Sequence, residues 1–237
     1  MLLQYIILLI LLTSGALISI WTGKLTIAAG LTGIVLGLLI FIGTGWLGLL
    51  LMAFFFLLGT LATAWKRSQK ETWKIAERNK GRRTASQVLA NGGMAGILAL
   101  LAIINPEKAD LLTLMMAGVF SSATADTLSS ELGSVYGSRF YNILSFRRDT
   151  RGLDGVISVE GTLIGICGSL LVALVTSVGY GWGLYFIWII IAGTVGNLMD
   201  SVLGATLERR NLLPNDLVNF INTMAGALVM FLLLRIQ

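Results

Sequence analysis

The stretch that decides the fold runs from Leu111 to Gly133, LLTLMMAGVFSSATADTLSSELG. It opens as an apolar run and closes on Asp126, Glu131 and a cluster of Ser and Thr residues, where a membrane helix should be ending. An acid at the bilayer centre costs about 2.5–3.5 kcal/mol on insertion scales, so one kept there implies partners and a site. A second run, Gly196 to Glu208 (GNLMDSVLGATLE), repeats the arrangement with Asp200 in the place of Asp126. The two acids read as a pair contributed by two helices.

The rest of the chain agrees with a membrane setting. Hydrophobic residues make up 56% and charged residues 12%, where soluble proteins carry about 25% charged residues; the mean hydropathy is +0.85. The fold class this predicts is an all-α, polytopic integral membrane helical bundle of about seven or eight transmembrane helices. It should form a single domain over 1–237 with a basic loop at 66–83. The 28 glycines suit close helix packing. A lone cysteine, Cys167, excludes a disulfide framework and a thiolate metal cluster. Histidine is absent, so any metal must be hard and held by oxygen.

Spans are expected at Leu2–Ile20, Leu25–Gly43, Trp46–Ala64, Ala85–Ile104, Leu111 to about Ser130, Ile157–Val178, Leu184–Leu207 and Leu217–Leu234. The first lacks the basic leader and short core of a signal peptide and reads as retained. With these spans, Lys24, the eight basic residues of 66–83, Arg139, Arg147, Arg148, Arg151, Arg209 and Arg210 fall on one side, against Lys108 and Arg235 on the other. The positive-inside rule then puts the basic loops in the cytoplasm and the N-terminus outside. The net charge of +5 follows from topology and anionic headgroups, and no nucleic-acid partner is expected.

Depth follows from the helical rise. Asp126 comes sixteen residues after Asp110, and Asp200 sixteen after Leu184, so each lies about 24 Å along a hydrocarbon core about 30 Å thick. Asn91, Glu160 and Asn222 enter from the same side to a similar level. Asn197, Asp200, Gly204 and Glu208 share one helical stripe, although Glu208, followed by Arg209 and Arg210, reads as a solvated helix end. Glu131 points about 140° away from Asp126 on a regular helix. Arg83, Gln87 and Asn91 form another one-face row, a fork donor followed by two amides, which suits an anionic ligand. Hard acids beside guanidinium groups at a membrane face match phosphoryl transfer, with Mg²⁺ held by carboxylates and cations clamping charged oxygens. No Gly-Lys-Ser or Gly-Lys-Thr phosphate loop is present.

Five segments carry a resemblance: Gly81-Arg82-Arg83, Gln87 to Gly93 (QVLANGG), Ala125 to Gly133 (ADTLSSELG), Asp200 to Ala205 (DSVLGA), and Asn219 through Asn222-Thr223. In this order they resemble the membrane family that contains the plant phytyl-phosphate kinase, over nearly the whole chain from about Gly59. The resemblance implies a polytopic kinase that moves a phosphoryl group from a nucleoside triphosphate, CTP by analogy, onto an isoprenoid monophosphate. The chain departs from the family at Gly152-Leu153-Asp154-Gly155-Val156-Ile157-Ser158, where a Gly-Thr-Asp-Gly-Gly-Val-Ser type of segment is expected. The site assignment is Asp126 and Asp200 for Mg²⁺ and phosphate, assisted by Glu131, Asp154 and Glu160. Arg82, Arg83, Gln87 and Asn91 hold phosphates, and Asn219 and Asn222 close the pocket. The rival readings are a lipid cytidylyltransferase and an ion or metabolite carrier; sparse polar groups in the outer halves of the spans count against the carrier.

Overall fold

A computed structural model describes residues 2–76 and 81–236; Glu77, Arg78, Asn79 and Lys80 of the basic loop lie outside the described residues. Among the described residues the regular structure is helical, apart from one short two-stranded ladder. Its elements are α1 (Leu2–Trp21), α2 (Ile27–Ala64), the short α3 (Arg67–Thr72), α4 (Ala85–Ile104), α5 (Ala109–Tyr136), β1 (Tyr141–Asn142), β2 (Val156–Ile157), α6 (Val159–Tyr180), α7 (Leu184–Leu203) and α8 (Asn215–Ile236). Among the described residues, seven helices are long and apolar enough to cross a membrane.

One of the seven is a hairpin. Gly45 stands at φ 71, ψ −159 inside α2, in the left-handed φ range that glycine adopts without a Cβ penalty. At the start of α2, Arg83 N donates to Lys24 O and Thr26 N donates to Arg83 O. Near its end, a Cβ on Gly59 would stand 2.3 Å from the Arg83 guanidinium. A straight helix would carry Gly59 about 48 Å from Ile27, so the element folds back at Gly45. Its two arms match the second and third spans expected from the sequence, so the seven candidate spans among the described residues comprise eight long helical arms.

α5 lies at the centre, packed against α2, α4, α6, α7 and α8. The core around it holds Met116, Val119, Phe120, Leu98, Ile189 and Met230, all buried. α5 and α8 cross so closely that a Cβ on Gly118 would meet Gly226 O at 2.5 Å, and one on Gly226 would meet Gly118 O at the same distance. α5 also runs past the expected end near Ser130 to Tyr136, because Glu131 finds a partner there.

The helix starts at the basic end are set by local sequence. Thr84 and Gln87 form a capping box at α4, and Ser158 Oγ accepts Gly161 N at α6. These caps satisfy donors that a helix start leaves open. The first turns of α4, α6 and α8 thus open at the same end of the bundle, where their dipoles favour negative charge.

Candidate phosphate and acid-pair chamber

At that end lies a cavity of about 310 Å³, lined by polar side chains from α4, α5, α6, α7, α8 and the 152–158 loop. Asp126 of α5 and Asp200 of α7 face each other across it with their carboxyl groups within hydrogen-bonding reach. Two like charges at such a separation need a cation or a shared proton between them. Asn222, fully buried on α8, donates to Asp200 Oδ1 at 3.3 Å and accepts from Ser122 Oγ through its backbone oxygen at 3.0 Å. Ser129 Oγ donates to Asn197 Oδ1 at 2.9 Å, so the acid-bearing helices α5 and α7 are also joined directly.

The roof is the loop between α5 and α6. β1 and β2 pair as a small antiparallel ladder. Gly155, at φ 69, rests so close to α7 that a Cβ would stand 2.3 Å from Ala205 N. That contact falls on a π-helical turn, Gly204–Glu208, a feature frequent at functional sites. Arg209 then ties the loop down: Nε and Nη2 donate to Asp154 O at 3.0 and 2.7 Å, and Nη1 pairs with Asp149 Oδ2 at 2.8 Å. The Arg209 hydrogen bond, then the Thr150 N–H, hold the Asp149 carboxyl below the usual range. Asp154 and Glu208 lie within electrostatic reach of the central pair.

Of the residues singled out from the sequence, Asp126, Asp200, Glu131, Asp154, Arg83, Gln87, Asn91 and Asn219 all line the cavity. Asn222 sits just beneath, holding Asp200. Arg82 and Glu160 do not line it, so the structure does not bring these two together with the rest. Arg82 flanks an extended stretch in which neighbours point to opposite sides, and its Nε donates to Leu25 O at 3.0 Å. Glu160 precedes Gly161 and Thr162, which do line the cavity; one residue is about 100° of helical rotation, and Glu160 instead accepts from Ser138 Oγ at 2.6 Å and Ser138 N at 3.2 Å.

Two further residues line the cavity, and a third supports a lining residue from behind. Glu208, expected to be a solvated helix end, lines the cavity; its place on the Asn197–Asp200–Gly204 stripe was the signal for it. Asn215 lines the same wall and accepts from Asn219 Nδ2 at 3.0 Å. Lys70 is buried and pairs with Glu131 while donating to Ala62 O at 3.0 Å and Thr63 O at 2.9 Å. Nothing distinguishes Lys70 in sequence from its neighbours in the basic loop.

Opposite the acids, the Arg83 guanidinium stacks over Phe55 at 5.2 Å and Phe56 at 5.8 Å. Among the described residues, no group of three or more Asp, Glu, His or Cys is arranged as a metal cage. Two carboxylates in contact are nonetheless the protein share that Mg²⁺ takes when substrate phosphates and waters complete its octahedron. The residues present fit that ion.

Fold and chamber together define a polytopic helical membrane protein with an acid pair buried at one face. The chain belongs to the integral membrane protein DUF92 family, whose profile matches residues 9–227; this is the membrane family that contains the plant phytyl-phosphate kinase. It is 35% identical over 201 residues to the uncharacterized membrane protein sll0875 of Synechocystis, covering 82% of this chain and 77% of that protein. It is 35% identical over 208 residues to Protein VTE6, chloroplastic, of Arabidopsis thaliana, covering 84% of this chain and 62% of the plant protein. It is 34% identical over 203 residues to the uncharacterized membrane protein MJ0933 of Methanocaldococcus jannaschii, covering 82% and 79%. No solved structure matches.

Proposed function

We propose that this protein is a membrane-embedded kinase that transfers a phosphoryl group from a nucleoside triphosphate, CTP by family analogy, to an isoprenoid monophosphate, giving the diphosphate. The observation that carries the reading is the meeting of Asp126 and Asp200 in a polar chamber that also presents Arg83, Gln87 and Asn91. Membership of the family that contains the plant phytyl-phosphate kinase supports the same chemistry. The excess of basic loops at this end supports a cytoplasmic active site and an N-terminus outside.

In the reaction, an oxygen of the lipid monophosphate attacks the γ-phosphorus of the nucleotide. The bond from γ-phosphorus to the β,γ-bridging oxygen breaks, and the nucleoside diphosphate leaves with the electron pair. The attacking oxygen is already ionised, so no strong base is needed and the lack of histidine is no obstacle. Asp126 and Asp200 would hold Mg²⁺, which when bound neutralises phosphate charge. Arg83 and the first turns of α4, α6 and α8 orient phosphate oxygens toward the acid pair. Asn222 fixes the Asp200 carboxylate, and Asn197 with Ser129 fixes the spacing of α5 and α7. Positioning and charge neutralisation supply most of the acceleration.

The test is incubation of the purified protein with Mg²⁺, each nucleoside triphosphate and a panel of prenyl monophosphates, followed by mass analysis of the lipids. Prenyl diphosphate with a nucleoside diphosphate is expected. Pyrophosphate release with a cytidylylated lipid would mean nucleotidyl transfer instead, and no lipid product with any nucleotide would end the reading.

A further inference from the structure

A second cavity, of about 440 Å³, lies beside the polar chamber and differs from it in character. Its walls are Leu11, Leu12, Gly15 and Ala16 of α1, both arms of the α2 hairpin, and Val88 and Gly92 of α4, with Phe120 of α5 at its back. These are almost wholly apolar. Along the return arm the wall runs from Trp46 to Phe56, about 15 Å at 1.5 Å per residue. The groove is not sealed, because Leu11, Trp46 and Leu50 of its lining are exposed.

The two cavities share a wall. Arg83, Gln87 and Asn91 line both, and the Arg83 guanidinium is held at the boundary over Phe55 and Phe56, which line the apolar side. An apolar trough ending on a guanidinium and two amides fits a hydrocarbon chain that terminates in a phosphate. It does not fit a free nucleotide, which has no apolar tail, or a diacyl lipid, whose two chains exceed one trough.

We infer that the groove between α1, the α2 hairpin and α4 receives the single isoprenoid chain of the acceptor, delivering its phosphate past Arg83 into the acid-pair chamber. The groove therefore acts as the gauge of chain length, and its open side against α1 is the route from the bilayer. This rests on the kinase reading above.

Glycine supplies the test. Gly15 and Gly33 both line the groove, and neither has an atom within 4 Å of where a Cβ would stand. Leucine at either position enters open space, shortens the groove and leaves the helix a better helix former. Wild type, Gly33→Leu and Gly15→Leu are compared in lipid nanodiscs with Mg²⁺ and CTP, using geranyl, farnesyl and geranylgeranyl monophosphates, after size exclusion and thermal unfolding confirm folded protein. For at least one folded variant, the ratio of kcat/KM for geranylgeranyl to that for geranyl monophosphate is expected to fall about tenfold or more relative to wild type. Wild-type turnover with an unmoved ratio in both folded variants would overturn the inference and leave the kinase reading standing; the groove would then hold a bilayer acyl chain or a neighbouring helix. No wild-type turnover of any acceptor would overturn the kinase reading, and this inference with it.

Discussion

α5 and α7 begin from the same sequence idea and end differently. Each carries an intramembrane aspartate followed by a later glutamate, Asp126 then Glu131, and Asp200 then Glu208. In α5 the helix continues regularly to Tyr136, so Glu131, although it lines the chamber, is turned from Asp126 and pairs with the buried Lys70. In α7 the backbone shifts into a π turn after Leu203, and Glu208 stays on the chamber side with Asp200. The basic residues differ in the same way. Lys70 neutralises the α5 glutamate, whereas Arg209 passes Glu208 by and secures Asp149 and the Asp154 backbone. An acid's role at this membrane face is thus set by the cation that reaches it.

The first way to break this comparison is to remove the acids that both helices share in role. Asp126→Asn and Asp200→Asn keep shape and lose charge, and each is expected to lower prenyl monophosphate turnover on the order of 10³-fold or more, measured as diphosphate formed under saturating Mg²⁺ and nucleotide. Turnover close to wild type in both would show that the pair is a packing feature.

Next in size is the α5 branch. Lys70 is 1% exposed and Glu131 14% in their side chains, and breaking a buried ion pair from one side costs about 3–5 kcal/mol. Lys70→Met is therefore expected to lower the thermal unfolding midpoint in detergent markedly, and adding Glu131→Gln should recover part of the loss through the non-additivity of contacting residues. A stable Lys70→Met protein with reduced turnover would instead make Glu131 a member of the reacting site.

Much of this was legible in the sequence. Apolar run lengths located the passes, including the split at Gly43–Trp46 that becomes the Gly45 hairpin. The carboxylates marked the chamber, since acids are rare at that depth without a reason. What stayed hidden depends on long-range geometry. Lys70 is one lysine in a basic loop, and only tertiary structure brings it against the end of α2 and Glu131. Glu160 sits at the right depth but one residue out of phase with the lining residues Gly161 and Thr162, and depth alone does not reveal facing. Arg82 and Arg83 are adjacent and chemically alike, and only the extended backbone there decides which reaches the cavity. The chamber's roof was legible only in Asp154, because Gly155 against Ala205 is a contact between segments far apart in sequence.

A smaller effect sharpens the α7 branch. If Glu208 supports the acid pair from its outer side, Glu208→Gln should lower turnover about 10- to 100-fold, the range for groups that act beside a metal site. The unfolding midpoint should stay near wild type, because among the described residues Glu208 makes no ion pair that the change would break. A loss of stability without loss of turnover would place Glu208 with Glu131 and erase the distinction between the helices.

The smallest expected effect concerns the loop that Arg209 secures. The Asp149 carboxyl is held below its ordinary value of 3.8, so it is more acidic in the folded protein than in the unfolded chain. The sign follows from linkage: the native state binds fewer protons, and the contribution is fully present above the ordinary value and lost as pH falls through the lowered one. Amide exchange in residues 139–157 should therefore be slow and flat from neutral pH down to about 4 after correction for intrinsic rates, and quicken below it. Asp149→Asn should quicken the same amides already at neutral pH and flatten their acid response, while Glu208→Gln should leave them alone. If Glu208→Gln frees the loop and Asp149→Asn does not, then Arg209 is the partner of Glu208 after all, and the two helices treat their glutamates alike.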